Sequence, residues 1–357
     1  MFIENGQKII QSLINDCKSQ NKTKVVITGN YLINDTIILP SDITIVLDDC
    51  HLRLKNQTFC NIFRNERCYD KEKRNRENAN KNIKIIGIGR AILDGGEYNG
   101  LSERNHSIDG RPHIYNNNLL LFSNVENFEI RNVKVINQRY WAFNFLYCRY
   151  GIISGIDFCS DYTRIDSEGN RVVGLDRADR LSPYIKNADG IDLRIGCHDI
   201  LIEDITGFTE DDTIALTALP NDFAMSFAVE KETIDIYNVV IKNVVTAAFC
   251  SNVRLLNQGA SKIYNILIDG VHDSSGDGKY YVGRGSAGVR IGDILLYGKR
   301  HSTKEETFNI VIKNVFSRAD FAVSLVGEMT NVLCENIFGF DGCPTIIDDK
   351  NAKIYKK

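Results

Sequence analysis

The chain has 357 residues, 43% of them hydrophobic and 25% charged, with a formal net charge of −3. That supplies apolar material for a large core, gives too little positive charge for a nucleic-acid partner, and includes no run of the roughly 18 apolar residues that a membrane helix needs. The opening MFIENGQKII has no basic stretch followed by an apolar one, so the reading is a cytoplasmic protein, or a secreted one if Met1 is not its native start.

In chain order, residues 7–19 carry Ile9, Ile10, Leu13, Ile14 and Cys17 on one helical face, which predicts a short N-terminal capping helix. β-Branched runs at 24–28, 36–39 and 42–47 predict strands. One phrase then returns: NFEIRNV from Asn127, DILIEDI from Asp199, NVVIKNV from Asn238, NILIDGV from Asn265, NIVIKNV from Asn309 and NVLCENI from Asn331, with looser copies from Asn82 and Tyr150. Asn127 to Tyr150 is 23 residues, Asn238 to Asn265 is 27 and Asn309 to Asn331 is 22, which is a solenoid period. A leucine-rich repeat would need its L-x-x-L-x-L frame. Here each unit holds short β-branched runs broken by Asn, Asp or Gly, and the pattern fits an all-β parallel β-helix whose stacked coils lie ~4.8 Å apart.

The central Ile and final Val or Ile of each phrase are the expected inward rows, and the Asn positions the corners. The expected organisation is one domain over 1–357, with an N-terminal cap region at 1–40, coils at 41–340 and a C-terminal cap at 341–357. Segments 63–81, 95–118, 160–186, 219–234, 272–287 and 299–307 overrun the period and are expected as loops that wall a groove. The ten cysteines form no C-x-x-C pair, which argues against a zinc or redox site and predicts reduced thiols.

Two acidic clusters stand one repeat apart, Asp189 in N-A-D-G and Asp211 with Asp212 in E-D-D. The 22-residue separation of Asp189 and Asp211 places them at equivalent points of adjacent coils. Carboxylates so close repel as anions, so at least one should keep its proton more tightly, as the paired acid and base of glycoside hydrolysis require. Asp211 and Asp212 can both reach one groove only if they lie on a bend, because neighbours on a regular strand face opposite sides. Asp at these points also suits turns and corner hydrogen bonds. Trp141 can stack on a sugar ring or sit in a buried ladder.

These motifs resemble those of glycoside hydrolase family 28, the polygalacturonase-like family of right-handed, single-stranded parallel β-helices within the pectin-lyase-like superfamily. N-A-D-G and E-D-D are similar to its N-T-D-G and G-D-D signatures, LDGG at 93–96 to its I-D-G-x-G, and YWAFNFLYC from Tyr140 to its W-x-x-x-x-x-x-C coil, a resemblance covering 9–339. It implies an inverting glycosidase acting on a pectic or related oligo- or polysaccharide, with Asp211 as general acid, Asp189 and Asp212 holding and deprotonating the attacking water, and no cofactor or metal. Substrate contacts are then expected from Asn187, Trp141, His198, Asn252, Arg254 and Arg290.

Two motifs depart from the family pattern. Asn252 stands near the position of its G-H-G histidine, with Arg254 the nearest cation and His198 or His272 as possible substitutes. Gly292 stands at the Lys of its R-I-K, leaving Arg290. The departures imply weak action on homogalacturonan and a preference for a mixed or neutral glycan. The same fold also hosts lyases or epimerases that use Ca²⁺, for which the Asp cluster is a candidate ligand set, and non-catalytic glycan-binding β-helices.

Overall fold

A computed structural model of the protein describes residues 1–56, 58–71, 74–96, 118–138, 141–160, 163–165, 171–173, 189–259, 261–275, 285–292, 297, 300–348 and 353–355. Helix Gly6–Ser19 places Ile10, Ile14 and Cys17 against the end of the core and closes the N-terminal end of the stack, whereas Ile9 and Leu13 of the predicted face are exposed. The rest is a right-handed parallel β-helix. One sheet of long strands runs from Lys24–Ile33 to Lys353–Tyr355, and a second of short strands from Ile37–Leu39 to Ile346–Asp348, each strand pairing in parallel with its counterpart one coil away.

The repeated phrase explains the coil. Phe128, Ile130 and Val133 point inward, as do Ile200, Ile202 and Ile205 two coils on, and Val239, Ile241 and Val244 on the next, and all are at most 2% exposed. Each fully buried aliphatic side chain contributes about 1.5–3 kcal/mol, so these rows carry the stack. The phrase-initial Asn127, Asp199, Asn238, Asn265, Asn309 and Asn331 all adopt φ between 54° and 58°, the left-handed bend Asn and Asp tolerate best. Their side chains form a ladder: Asn265 Nδ2 donates to Asn238 Oδ1 at 3.1 Å, Asn309 to Asn265 at 3.1 Å and Asn331 to Asn309 at 3.0 Å. On the last coil Val332, Cys334 and Ile337 are only half-buried.

Some expected loops are ordered elements. Phe63–Asn65, expected within a charged loop, is a strand paired with Ile37–Leu39, because Phe63 fills the core while Arg64 faces out. The overrun after Leu219 holds helix Asp222–Met225, capped by Asn221 Oδ1 accepting from Ala224 N at 2.8 Å. This segment folds back so that Ala224, Phe227 and Val229 cover Leu121 and Leu146. Within 160–186, Thr163–Ile165 and Arg171–Val173 pair antiparallel. The expected loop at 95–118 falls almost wholly outside the described residues, as does much of that at 272–287. All ten cysteines are unbridged.

Candidate active site

The site lies on the outer face of the short-strand sheet. Ile191 and Leu193 point into the core, so Asp192 and Arg194 face outward on strand Asp189–Arg194; Phe143 and Phe145 likewise turn Asn144 outward on Trp141–Leu146. Register then aligns Leu121, Asn144, Asp192, Ala215, Arg254 and Arg290 in one row across six neighbouring strands.

Asp189 begins its strand. Ile191 pairs with Ile214, an offset of 23 residues, so Asp189 stands beside Asp212 and not Asp211 as the 22-residue count suggested. The Asp212 N–H donates to Asp189 Oδ1 at 3.0 Å, and the Gly190 N–H donates to the Asp212 carbonyl at 3.0 Å. Gly190 is needed for this approach, because a Cβ there would lie 2.5 Å from the Thr213 carbonyl oxygen. Asp211 sits on the bend between strands His198–Thr209 and Ile214–Thr217, the geometry the adjacent carboxylates require.

Asp211 is partly exposed, whereas Asp189, Asp192 and Asp212 are 9%, 0% and 2% exposed. Burial pushes Asp189 well above the usual carboxylate range, helped by the charges of Asp192, Asp211 and Asp212. Burial also pushes Asp192 up to about 7, against the pull of Arg194, whose Nη2 lies 3.5 Å from Asp192 Oδ1. The two raised carboxyls are three residues apart on one strand, and the charge of Asp192 further opposes ionisation of Asp189. Asp212 lies in a different setting, its Oδ2 ion-paired with Arg254 Nη1 at 3.2 Å and both side chains buried. One oxygen each of Asp211 and Asp212 and Sγ of Cys250 fall within 4.8 Å of one another. Ca²⁺ prefers six to eight oxygens, so a set with one thiol is a poor match for it.

The family-28 model, glycosyl hydrolases family 28, matches residues 17–229, more than half of the chain. The chain belongs to glycosyl hydrolase family 28. The matched segment includes Asp189, Asp192, Asp211 and Asp212, whereas Asn252, Arg254 and Arg290 lie beyond it. No curated protein sequence matches the chain.

Solved structures agree on the fold. An exopolygalacturonase from Thermotoga maritima is 13% identical with a TM-score of 0.54, over 98% of this chain and 87% of that one. A polygalacturonase from Erwinia carotovora is 15% identical with a TM-score of 0.53, over 97% and 93%. A tailspike protein mutant of E. coli bacteriophage HK620, in complex with a pentasaccharide, is 12% identical with a TM-score of 0.58, over 98% of this chain and 63% of its own.

Against the family-28 pattern, the two departures have structural causes. Asn252 Nδ2 donates to the Thr246 carbonyl at 2.6 Å and to Thr246 Oγ1 at 2.9 Å, within a buried Thr209–Thr213–Thr246 hydroxyl chain. Both of its N–H groups are thus engaged internally, not toward substrate. Gly292 has φ +78°, and a Cβ there would lie 2.1 Å from the Val326 carbonyl oxygen, so this backbone has no place for a Lys.

Other expected site residues divide. Trp141 pairs with Asp189 across the coils, but Arg194 lies over its ring at 3.6 Å, which favours the buried reading. Arg254 and Arg290 are adjacent in the outward row, and Arg254 also lies 5.7 Å from the Tyr297 ring. His198 is not in the site. It belongs to the long-strand sheet, with Nδ1 2.6 Å from Asp199 Oδ2 and its ring stacked on Tyr237 at 4.6 Å in a ladder continued by Tyr264 and Phe308. His272 is also on that sheet, near Phe316. Asn187 lies outside the described residues. Asp192, Arg194 and Asn144 were not expected, though strand alternation after N-A-D-G already turns Asp192 and Arg194 outward.

Proposed function

We propose that this family-28 chain is a glycoside hydrolase that cleaves a pectic or related oligosaccharide with inversion. The observation that carries the reading is the joining of Asp189 to Asp212 across adjacent coils, with Arg254 on the far side of Asp212. Asp211, the least buried carboxyl, donates its proton to the leaving glycosidic oxygen as the C1–O bond breaks. Water attacks C1 from the opposite face and gives its proton to Asp212, which Asp189 helps to position. Carboxyls held in unlike settings suit this division of acid and base work.

The substrate reading follows from charge. A uronate carboxylate buried without a cation costs several kcal/mol. Position 292 cannot supply one, while Arg290 remains and Arg254 is bound to Asp212. A mixed or neutral glycan is therefore the preferred substrate, with weak action on homogalacturonan. The names of the polygalacturonase neighbours support a pectic class, and the tailspike's pentasaccharide supports a glycan more generally.

The test is a panel of pectic and galactosidic oligosaccharides read by new reducing ends and by ultraviolet absorbance. Reducing ends without absorbance are expected. An absorbing, unsaturated product would make the chain a lyase, and binding without any product would make it a glycan-binding β-helix.

A further inference from the structure

The two ends of the solenoid are finished differently. Helix Gly6–Ser19 covers the N-terminal end. At the other end, the long strand Glu328–Gly339 is paired on its C-terminal side, among the described residues, only at Glu328–Thr330, with Lys353–Tyr355. Residues 331–339 are thus an edge. Their inward Val332, Cys334 and Ile337 are half-buried, although Ile310, Ile312 and Val315, their partners one coil earlier, are 0% exposed. Outward, Leu333 and Phe338 are 48% and 46% exposed. Edge strands are normally blunted by Lys, by Pro or by a covering segment, and the edge sequence NVLCENIFG holds neither residue.

Rows that run along the long-strand sheet stop at this edge, and each dictates what a following strand would carry. In one corner row every coil donates to the coil before it: Asn243 Nδ2 to Asp204 Oδ1 at 3.1 Å, Asn314 Nδ2 to Asp269 Oδ1 at 2.7 Å, and Asn336 Nδ2 to Asn314 Oδ1 at 3.1 Å. The Asp269 carboxylate only accepts, so it fixes the amide orientation of Asn314 and, through it, of Asn336. Asn336 therefore turns its Oδ1 toward the C-terminal side, where a donor completes the row. In the neighbouring outward row, register aligns Glu203, Lys242, Asp269, Lys313 and Glu335. Charge alternates coil by coil, and the place after Glu335 calls for a cation.

We infer that residues 331–339 are a docking edge for one added polypeptide strand. The strand runs parallel to Glu328–Gly339 and carries an amide donor opposite Asn336, a Lys or Arg opposite Glu335, and apolar side chains over Val332, Cys334 and Ile337. Main-chain hydrogen bonds supply the affinity and these side chains the register. Its chemistry is that of the protein's own phrases NVVIKNV and NIVIKNV, presented by another polypeptide. A second folded copy fits poorly. Its phrases of this kind lie inside its own sheet, and two such edges set together would bring two Glu335 carboxylates and two acceptor-facing Asn336 side chains to one seam.

The experiment is fluorescence anisotropy of a labelled peptide copying residues 309–317, NIVIKNVFS, titrated with the full-length protein. The pairing of Lys313 with Glu335 and of Asn314 with Asn336 in the coil shows the register one strand further on. Saturable binding is expected, at least about threefold tighter than that of the Lys313→Glu peptide, the scale of one facing surface charge pair. The Glu335→Lys protein should reverse that order. An Asn314→Asp peptide keeps the bend, loses the donor and should bind more weakly than the parent peptide. Amide hydrogen exchange should slow within 331–339 when the peptide binds. Glu335 is exposed, and circular dichroism confirms that its variant is folded.

Absence of binding by folded protein overturns the docking edge, as does binding that protects another part of the chain. A peptide preference that Glu335→Lys leaves unchanged overturns the charge-matched register. Light scattering that shows a dimer of the protein alone, with 331–339 already protected, gives the edge to a second copy and overturns the added-strand partner. None of these outcomes bears on the glycosidase reading, which turnover assays test separately.

Discussion

Replacing Asp192 with Asn removes a carboxyl that the fold buries beside Asp189 while keeping its size. Burial raises the Asp192 carboxyl to about 7, partly opposed by Arg194, whereas in the unfolded chain it releases its proton near the ordinary ~3.9. The folded chain therefore binds more protons than the unfolded chain between those values. Stability is greatest below the lower one, falls as pH rises through the window, and levels off above about 7. Some three pH units at ~1.4 kcal/mol each amount to a loss on the order of 4 kcal/mol across the window. The Asn amide carries no charge and still offers Asp189 a hydrogen-bond donor, so most of this pH dependence should vanish in the variant. Urea unfolding of both proteins at several pH values between about 4 and 8 measures it: the curves should nearly meet in acid, and Asp192→Asn should be the more stable near pH 8. Parallel curves, or a variant less stable than the parent at every pH, would refute the buried-proton argument.

Asp211→Asn should lower kcat by about 10²–10⁴, the normal loss on removing a general acid, with an unchanged unfolding midpoint; unchanged kcat in folded protein would refute the assignment. Arg254→Met strips the cation from buried Asp212 and should destabilise the protein by about 3–5 kcal/mol in denaturant unfolding, and a change within error would show that the ion pair is dispensable. Gly292→Lys should not raise kcat/KM on trigalacturonate and should lower Tm, because its Cβ meets the Val326 carbonyl; a gain of trigalacturonate activity would contradict the steric account. His198→Phe keeps a ring on Tyr237 and should leave kcat unchanged, whereas a large loss would return His198 to the site.

The coil was legible because two physical signals coincide in one phrase. Asn or Asp tolerates the left-handed corner, and the inward β-branched positions repeat at strand spacing. Register at the site was less legible. Coils differ in length, and one residue moves the partner of Asp189 from Asp211 to Asp212. The three motif aspartates could be found, but Asp192 reads as an ordinary outward strand residue, since alternation tells which face it takes and not that the face is covered. His198 misled for the opposite reason. It is nine residues from Asp189 in sequence, but the corner between them places it on the other sheet. Phe63–Asn65 was hidden by the charged run that follows it, although Phe63 alone has the apolar inward side chain of a strand.

The most direct test of the account is time-resolved proton NMR of the first products formed from the best oligosaccharide of the panel by the unsubstituted protein. The account predicts that a saturated sugar of inverted anomeric configuration appears first and then mutarotates, because water held by Asp212 and Asp189 attacks opposite the leaving oxygen protonated by Asp211. A first product of retained configuration would contradict the inverting role given to this cluster, and an unsaturated product would contradict hydrolysis altogether.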